Sequence, residues 1–155
     1  MKKTIFITGA TSGIGKATAE VFAKQGHRLI ICGRRKEVLD NLQIQLSNFT
    51  DIYSLVFDVR NQQEVQNAIN SLPEEWKNID VLVNNAGNAH GLEPISDANI
   101  SDWDAMMDGN VKGLLYVSQP IIKLMKANNS GHIVNISSVA ARQTYANGTV
   151  YCASK

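Results

Sequence analysis

The sequence is poor in cysteine and has no excess of charge of either sign. Its two cysteines, Cys32 and Cys152, show neither the paired spacing of a disulfide framework nor that of a metal site. We therefore expect a reducing, cytoplasmic location. Lysine and arginine together number 15 against 14 acidic residues, a net charge of +1. So small an imbalance argues against nucleic acid or a membrane surface as a partner.

Long hydrophobic runs are also missing. Two lysines follow Met1, but the apolar run behind them, Ile5 to Ile7, is three residues long before a polar residue interrupts it. That is too short for a signal peptide or a membrane span, so we expect a first core strand there. The three histidines, His27, His90 and His132, lack metal-ligand spacing, and we expect no metal site.

The length and the order of apolar runs predict one α/β domain over residues 1–155. Hydrophobic residues make up 44% of the chain, which is ordinary for a globular protein. Short apolar runs alternate with helix-period segments, which indicates a parallel sheet covered on both faces. Right-handed crossovers then favour a doubly wound, Rossmann-type sheet with strand order beginning 3-2-1-4-5. The five predicted strands are 4–8, 28–32, 52–57, 81–83 and 132–136.

The helical segments carry their own start and stop signals. The first should end at Gly26 and bury one face, formed by Ile14, Ala17, Val21 and Phe22. Asn61, with Glu64 three residues on, resembles a capping box that opens a helix to about Leu72.

A longer helical stretch should begin at Ser101, continue to about Lys126 and be followed by a stop at Gly131. Pro120 lies inside that stretch and should kink it or end it early.

The first predicted strand runs into a glycine-rich loop and then a helix. Gly9, Gly13 and Gly15 let the backbone turn tightly and approach a pyrophosphate, which the helix N-terminus attracts. A glycine-rich loop alone is often a simple turn, but its place between strand and helix predicts a dinucleotide site. A P-loop is disfavoured because no Gly-Lys-Ser/Thr follows. The predicted cofactor contacts in this loop are Gly9, Thr11, Ser12, Gly13, Ile14 and Gly15.

The end of the second strand indicates which nucleotide fits. A carboxylate there would bind the ribose 2′-hydroxyl, but this sequence has Gly33-Arg34-Arg35. Two guanidinium groups suit a 2′-phosphate, so we predict NADP rather than NAD as the cofactor. The alternative is a solvated charge pair that opens a helix. Asp58 closes the third strand, where it could meet the adenine beside Val59 or cap the following helix.

Three residues near the end of the sequence form a candidate catalytic set. Tyr151 and Lys155 are four apart, so on a helix they share one face. A lysine ammonium next to a tyrosine on the same helix face favours the phenolate form of that tyrosine, which makes proton exchange near neutral pH practicable. Ser138 lies just past the fifth strand, where its hydroxyl could hold a substrate oxygen. Taken singly, each of these residues is more often an ordinary surface or loop residue.

Together these motifs resemble the short-chain dehydrogenase/reductase family. The resemblance covers all 155 residues and is carried by the glycine loop, Asn84-Asn85-Ala86-Gly87, Asn110, Ser138 and Tyr151-x3-Lys155. It implies that Tyr151 is the general acid/base, that Ser138 orients the substrate oxygen, and that Lys155 binds the nicotinamide ribose. It implies too that Asn110 supports a water-mediated proton relay. Asn85, Ala86, Gly87, Tyr151 and Lys155 would then border the cofactor.

A finer resemblance is to the NADP-dependent 3-hydroxy acid dehydrogenases of that family. It rests on Gly33–Arg35, Ser71–Trp76, Asn78–Val83 and Gly91–Pro94. The implied activity is oxidoreduction with NADP(H) of an alcohol or carbonyl substrate, a small 3-hydroxy acid, by a homo-oligomer (dimer or tetramer).

Family members continue beyond the Lys155 position, so we expect this chain to be the N-terminal portion of the fold, incomplete at its C-terminus. The alternative function is a truncated nucleotide-binding remnant or scaffold without turnover.

Overall fold

The computed structural model describes residues 2–155 and contains a five-stranded, fully parallel sheet in the order β3-β2-β1-β4-β5. This confirms the predicted fold class and strand order. Every strand begins at the predicted residue and ends within one residue of the predicted end. Strands β1 to β5 are Thr4–Ile7, Arg28–Gly33, Ile52–Val56, Val81–Asn84 and His132–Asn135.

Within this described range, six α-helices connect and cover the strands. Short 3₁₀ turns lie at Glu74–Trp76 and Val139–Ala141, and a π-helical segment, Met107–Lys112, joins the fourth helix to the fifth. Within residues 2–155, no helix is both long and apolar enough to cross a membrane. Helices α1 to α6 are Gly13–Lys24, Lys36–Leu46, Gln62–Asn70, Ile100–Met106, Gly113–Ala127 and Thr149–Ser154.

The core has two apolar layers, one on each face of the sheet. Because successive strand residues point to opposite faces, Ile5 and Ile7 of β1 join the layer under α1 and α2. Phe6 between them joins the opposite layer with α3 and α5. All three side chains are at most 1% exposed. A first strand buried on both faces explains why its sequence is a continuous apolar run.

The predicted buried face of α1 is wrong for Ile14, Ala17 and Val21, which are exposed, and is confirmed only for Phe22, which is partly buried against the core. Ile14 and Val21 are 61% and 53% exposed, and the helix instead buries Gly15, Ala19 and Ala23. These small residues recur every four positions and let the helix backbone approach the sheet closely, so residue size rather than hydrophobicity marks the contact face. The predicted end at Gly26 is confirmed, because Gly26 has φ +79° and its neighbours make the hydrogen bonds of a Schellman motif.

The start of α3 differs in one contact from a capping box. The Asn61 side chain accepts hydrogen bonds from Gln63 N and Glu64 N at 3.1 and 3.2 Å, as predicted. The Glu64 carboxylate, however, accepts from Asp58 N at 3.0 Å instead of from Asn61 N. Glu64 therefore fixes the turn that leads from β3 into α3.

The stretch from residue 100 to 127 begins and ends within one residue of its predicted limits, but its cap and the effect of Pro120 differ from the prediction. Asn99, not Ser101, caps α4, with its side chain accepting from Ser101 N at 3.0 Å. α5 runs through Pro120 to Ala127, so an early end at Pro120 is wrong. Its buried Val117 and Ile121 pack on either side of the proline and hold the helix.

The stop after α5 also lies earlier than predicted. Asn129, with φ +49°, takes the left-handed position that we assigned to Gly131. Ser130 N and Asn129 N donate to the carbonyls of Met125 and Lys126, both at 3.1 Å, and complete the Schellman motif. Asparagine tolerates this conformation better than most residues, because its short polar side chain hydrogen-bonds locally.

Asn61→Ala should lower the free energy of unfolding by about 1 kcal/mol, because two backbone N–H groups of α3 lose their acceptor. Urea unfolding followed by circular dichroism measures this. Asn67→Ala is the matched control, since Asn67 is exposed within the same helix and, among the described residues, its side chain hydrogen-bonds only with Gln63. A loss as large in the control as in Asn61→Ala would contradict the capping role.

Candidate active site

A cleft of about 670 Å³ lies along the carboxyl ends of the strands. The glycine loop and the arginines after β2 line one part of it, and Tyr151 and Lys155 line another. The structure thus brings together most of the predicted site residues. Those that line the cleft are Gly9, Thr11, Ser12, Gly13, Ile14, Arg34, Arg35, Asp58, Val59, Asn85, Ala86, Gly87, Tyr151 and Lys155.

Three predicted site residues do not line the cleft. Gly15 is buried in the first turn of α1, Asn110 is 6% exposed inside the π-helical segment, and Ser138 lies in the turn after β5. Gly15 and Asn110 lie behind the wall of the cleft.

The glycine loop lies against the segment that follows β4. Gly9 has φ +64°, and a Cβ there would lie 2.9 Å from Asn85 Nδ2 and 3.0 Å from Ala86 Cα. A Cβ on Gly15 would collide with the Gly9 carbonyl oxygen and with Asn85 Nδ2. Both positions therefore require glycine, because the two backbones approach too closely for any side chain.

Buried Thr8 holds these two segments together, a role that we did not predict. Its Oγ1 accepts hydrogen bonds from Asn85 N and Ala86 N, both at 2.9 Å. In return, Asn85 Nδ2 donates to the carbonyls of Thr8 and Gly9 at 2.9 and 3.1 Å. The loop is thus fixed in place by four hydrogen bonds before any ligand binds.

The N-terminus of α1 fits a phosphate. Ser12 is its N-cap residue but makes no side-chain capping bond, and the first turn holds no acidic residue. A Cβ on Gly13, which has φ +53°, would meet no atom within 4 Å. The open side of the turn therefore presents free backbone N–H groups and the positive end of the helix dipole to the cleft.

Three guanidinium groups line the cleft beside this loop. Arg34 is 63% exposed, and Arg35 Nη2 donates to Thr11 Oγ1 at 3.1 Å. The third, Arg60, was not predicted; it lies two residues after Asp58 at the same strand end, and that position was the available signal. Positive charge gathered here suits an anionic ligand.

Asp58 does not cap α3, since Asn61 does, so that alternative is wrong. Its carboxylate instead binds Arg60. Burial alone would raise the pKa of the Asp58 carboxyl, but the hydrogen bonds from Arg60 and the charges of Arg60 and Arg34 together hold it below its usual value. The Asp58 carboxyl is therefore ionised at neutral pH.

Tyr151 lies on α6, and Lys155 follows the last residue of that helix. Lys155 Nζ donates to the Ile136 carbonyl at 3.0 Å, and Ser137 Oγ donates to the Lys155 carbonyl at 2.6 Å. A Cβ on Gly87 would lie 3.4 Å from Lys155 Nζ. The ammonium group is thus held between the ends of β4 and β5, on the wall of the cleft that Tyr151 also lines.

Asn110 links this end of the cleft to the helices behind it. Its Oδ1 accepts from Asn88 N at 2.8 Å, and its Nδ2 donates to Asn88 O and Ser154 Oγ, both at 2.9 Å. Ser154 Oγ donates in turn to the Tyr151 carbonyl at 3.1 Å. The buried amide therefore anchors α6, and with it Tyr151, to the π-helical segment. Neither Asn88 nor Ser154 carried a recognisable signal in the sequence.

Ser138 caps the 3₁₀ turn after β5, with its hydroxyl oxygen accepting from Ala140 N at 3.2 Å. That bond uses a lone pair and leaves the O–H free to donate. Ser137, next to it in the sequence, does line the cleft. The local geometry thus leaves the Ser138 hydroxyl with a hydrogen to offer to an oxygen atom.

Comparison with known proteins agrees with this architecture. The family model described as short chain dehydrogenase matches residues 3–155. NADP-dependent 3-hydroxy acid dehydrogenase YdfG of Escherichia coli O6:H1 is 45% identical over 151 residues, which cover 97% of this chain and 60% of that protein. The chain thus spans about 60% of the length of these curated relatives.

Solved structures give the same result. The closed form of serine dehydrogenase complexed with NADP+ has a TM-score of 0.92 and 45% identity, covering 98% of this chain and 60% of that one. NAD+-bound xylitol dehydrogenase has a TM-score of 0.93 but 29% identity, covering 99% and 59%. Since relatives with either nucleotide share the fold equally, the choice of cofactor has to come from particular side chains.

Gly15→Ala should cost about 3 kcal/mol of unfolding free energy, because the new Cβ would collide with backbone and with Asn85. Gly13→Ala should cost about 1–2 kcal/mol, since only the positive φ is unfavourable there. Urea unfolding without nucleotide compares the two variants. A Gly13→Ala variant as unstable as Gly15→Ala would show that close packing is not what requires glycine at 15.

Proposed function

Because the chain belongs to the short-chain dehydrogenase family, we propose that its cleft binds NADP(H). The proposed activity is hydride transfer between that cofactor and an alcohol or carbonyl substrate, a small 3-hydroxy acid. The observation that carries the proposal is the single cleft that joins the glycine loop and Arg34 to Tyr151 and Lys155. An anion site and a proton-exchanging pair thus share one cavity.

The nucleotide would bind along the glycine loop. Free N–H groups at the start of α1 receive the pyrophosphate, and Ile14, exposed on that turn, covers one side of it. Arg34 contributes a guanidinium with most of its surface free, which suits the 2′-phosphate of NADP. Asp58 and Val59 border the adenine, and Asn85 to Gly87 border the other half of the nucleotide.

Tyr151 would exchange the proton of the substrate. As an alcohol becomes a carbonyl, the tyrosine oxygen takes the proton of the hydroxyl; in the reverse direction it returns that proton. The Lys155 ammonium binds the nicotinamide ribose, and the Ser138 O–H donates to the substrate oxygen. Asn110 contributes by fixing α6 through Ser154 and by supporting the water-mediated relay.

The substrate class is supported by the relatives, two of which are a 3-hydroxy acid dehydrogenase and a serine dehydrogenase. We include in the proposal a cytoplasmic location and a homo-oligomeric assembly, a dimer or tetramer. NADP+ reduction with a 3-hydroxy acid, followed by absorbance of the reduced nicotinamide, tests the activity. No turnover together with tight NADP+ binding would favour a nucleotide-binding role without catalysis.

Arg34→Leu should raise the Kd for NADPH about tenfold or more and leave the Kd for NADH within about twofold, because only NADPH carries the 2′-phosphate. Titration calorimetry with each nucleotide measures both constants. Arg142→Leu, an exposed arginine outside the cleft, is the control for loss of charge. An equal loss for both nucleotides would refute the 2′-phosphate role.

Tyr151→Phe should lower kcat at least about 100-fold, because the proton loses its acceptor, while NADPH binding stays within a few-fold. Steady-state kinetics and nucleotide titration separate the two effects. Tyr145→Phe provides the matched control, since Tyr145 is 46% exposed and does not line the cleft. Full activity in the Tyr151 variant would eliminate the proposed acid/base.

A further inference from the structure

We propose that Arg60 is a positioning residue for cofactor choice: by binding the Asp58 carboxylate it keeps Arg34 free for the 2′-phosphate. This inference rests on the proposed NADP(H) function. Arg60 need not touch the phosphate itself. Its pairing with Asp58 explains how an acidic residue can lie among three guanidinium groups without cancelling their attraction for an anion.

The contacts of Asp58 are unequal. Oδ1 accepts from Arg60 N at 3.0 Å and from Arg60 Nε at 3.1 Å. Oδ2 accepts from Arg60 Nε at 3.0 Å and from Arg60 Nη2 at 2.6 Å. Each carboxylate oxygen thus receives two bonds from Arg60, which matches its number of lone pairs. Arg34 Nη1 lies 3.6 Å from Oδ2, which is within ion-pair distance but too far for a hydrogen bond.

Asp58 and Arg60 are held beside Arg34 on the wall of the cleft. The Glu64 carboxylate fixes the backbone of Asp58 by accepting a hydrogen bond from its N–H group, and Asp58, Arg60 and Arg34 all line the same cleft. Asp58 is 23% exposed, Arg60 41% and Arg34 63%. Arg34 is therefore the least covered of the three, and within residues 2–155 its guanidinium makes no side-chain hydrogen bond to the protein.

Removal of the Arg60 side chain would release Oδ2. Arg34 would then need to move by less than 1 Å to form a hydrogen-bonded ion pair with it. Such a pair would occupy Arg34 donors, and the uncompensated Asp58 charge would repel the 2′-phosphate. Both effects penalise NADP(H) and spare NAD(H), which has a hydroxyl at that position.

The other charged groups near Asp58 support this role of Arg60. Arg34, Arg35 and Arg60 line the cleft together with Asp58, and Arg35 is engaged with Thr11. The Glu64 carboxylate beside them accepts hydrogen bonds from Asp58 N and Asn61 Nδ2. Asp108, the next acidic group toward Arg60, is paired with Lys112. No other acidic side chain lines the cleft among the residues that the structure describes, so Asp58 is the group whose pairing decides how much positive charge a ligand meets.

Calorimetric titration of NADPH and NADH into the purified protein and its variants tests the proposal. Arg60→Gln should raise the Kd for NADPH about tenfold and that for NADH less than twofold. Arg60→Lys, which retains a cation beside Asp58, should keep most of the preference. Arg142→Gln again controls for the loss of one positive charge, and circular dichroism checks that each variant is folded.

The decisive variant is Asp58→Asn combined with Arg60→Gln. Without the carboxylate, Arg34 has no competing partner and the 2′-phosphate meets no repulsion, so the ratio of the Kd for NADH to the Kd for NADPH should return to within about threefold of the original. A change at the adenine, which Asp58 also borders, affects both nucleotides alike and cancels in this ratio. A merely structural role of Arg60 predicts no such rescue. Failure of the double variant to recover, or equal losses for both nucleotides in Arg60→Gln, would overturn the positioning role.

The same titrations distinguish a wrong role for Arg60 from a wrong proposed function. If the unmodified protein binds NADPH and NADH equally, the proposed preference for NADP(H) is wrong. If it prefers NADPH and Arg60→Gln keeps that preference, only the role of Arg60 is wrong.

Discussion

The buried hydroxyl of Thr8 joins the carboxyl ends of β1 and β4, and the rest of the cleft is built around that junction. Through it, the glycine loop and the Asn85–Gly87 segment lie so close that Gly9 and Gly15 have no room for a Cβ. The start of α1 is fixed relative to β4, and the backbone N–H groups of its first turn stay free for an anion. A cleft formed by backbone contacts of this kind is organised before a ligand arrives.

The far end of the cleft is held by side chains instead. Tyr151 lies on α6 and Lys155 directly after it. The position of this helix depends on Ser154, which contacts Asn110, and on Ser137, which contacts the Lys155 carbonyl. The nucleotide end therefore depends on sheet topology, whereas the reacting end depends on a few polar contacts between distant segments.

The sequence allowed prediction of the features that depend on periodicity and on local motifs. Strand positions, strand order, the glycine loop and the arginines after β2 follow from alternation and from residue type. Prediction failed where packing decides: α1 buries alanines rather than Ile14 and Val21, because close approach to the sheet favours small residues. Ser154 and Asn88 were missed because their partner, Asn110, is brought to them only by the fold. Arg60 was missed although its place two residues after Asp58 was a signal, and the effect of Pro120 was overestimated because tertiary contacts hold α5 through it.

The π-helical segment at Met107–Lys112 sets the rotation of α5 about its axis relative to α4. An α-helix turns by about 100° per residue, and a wider turn takes in one residue more than a regular one. With that residue deleted, α4 and α5 would form one continuous regular helix. The apolar stripe of α5, with Val117, Ile121 and Met125, would then rotate by about a quarter turn away from the sheet. The π-helical segment thus adjusts the rotation of α5, so that Asn110 reaches α6 on one side while α5 still covers the core on the other.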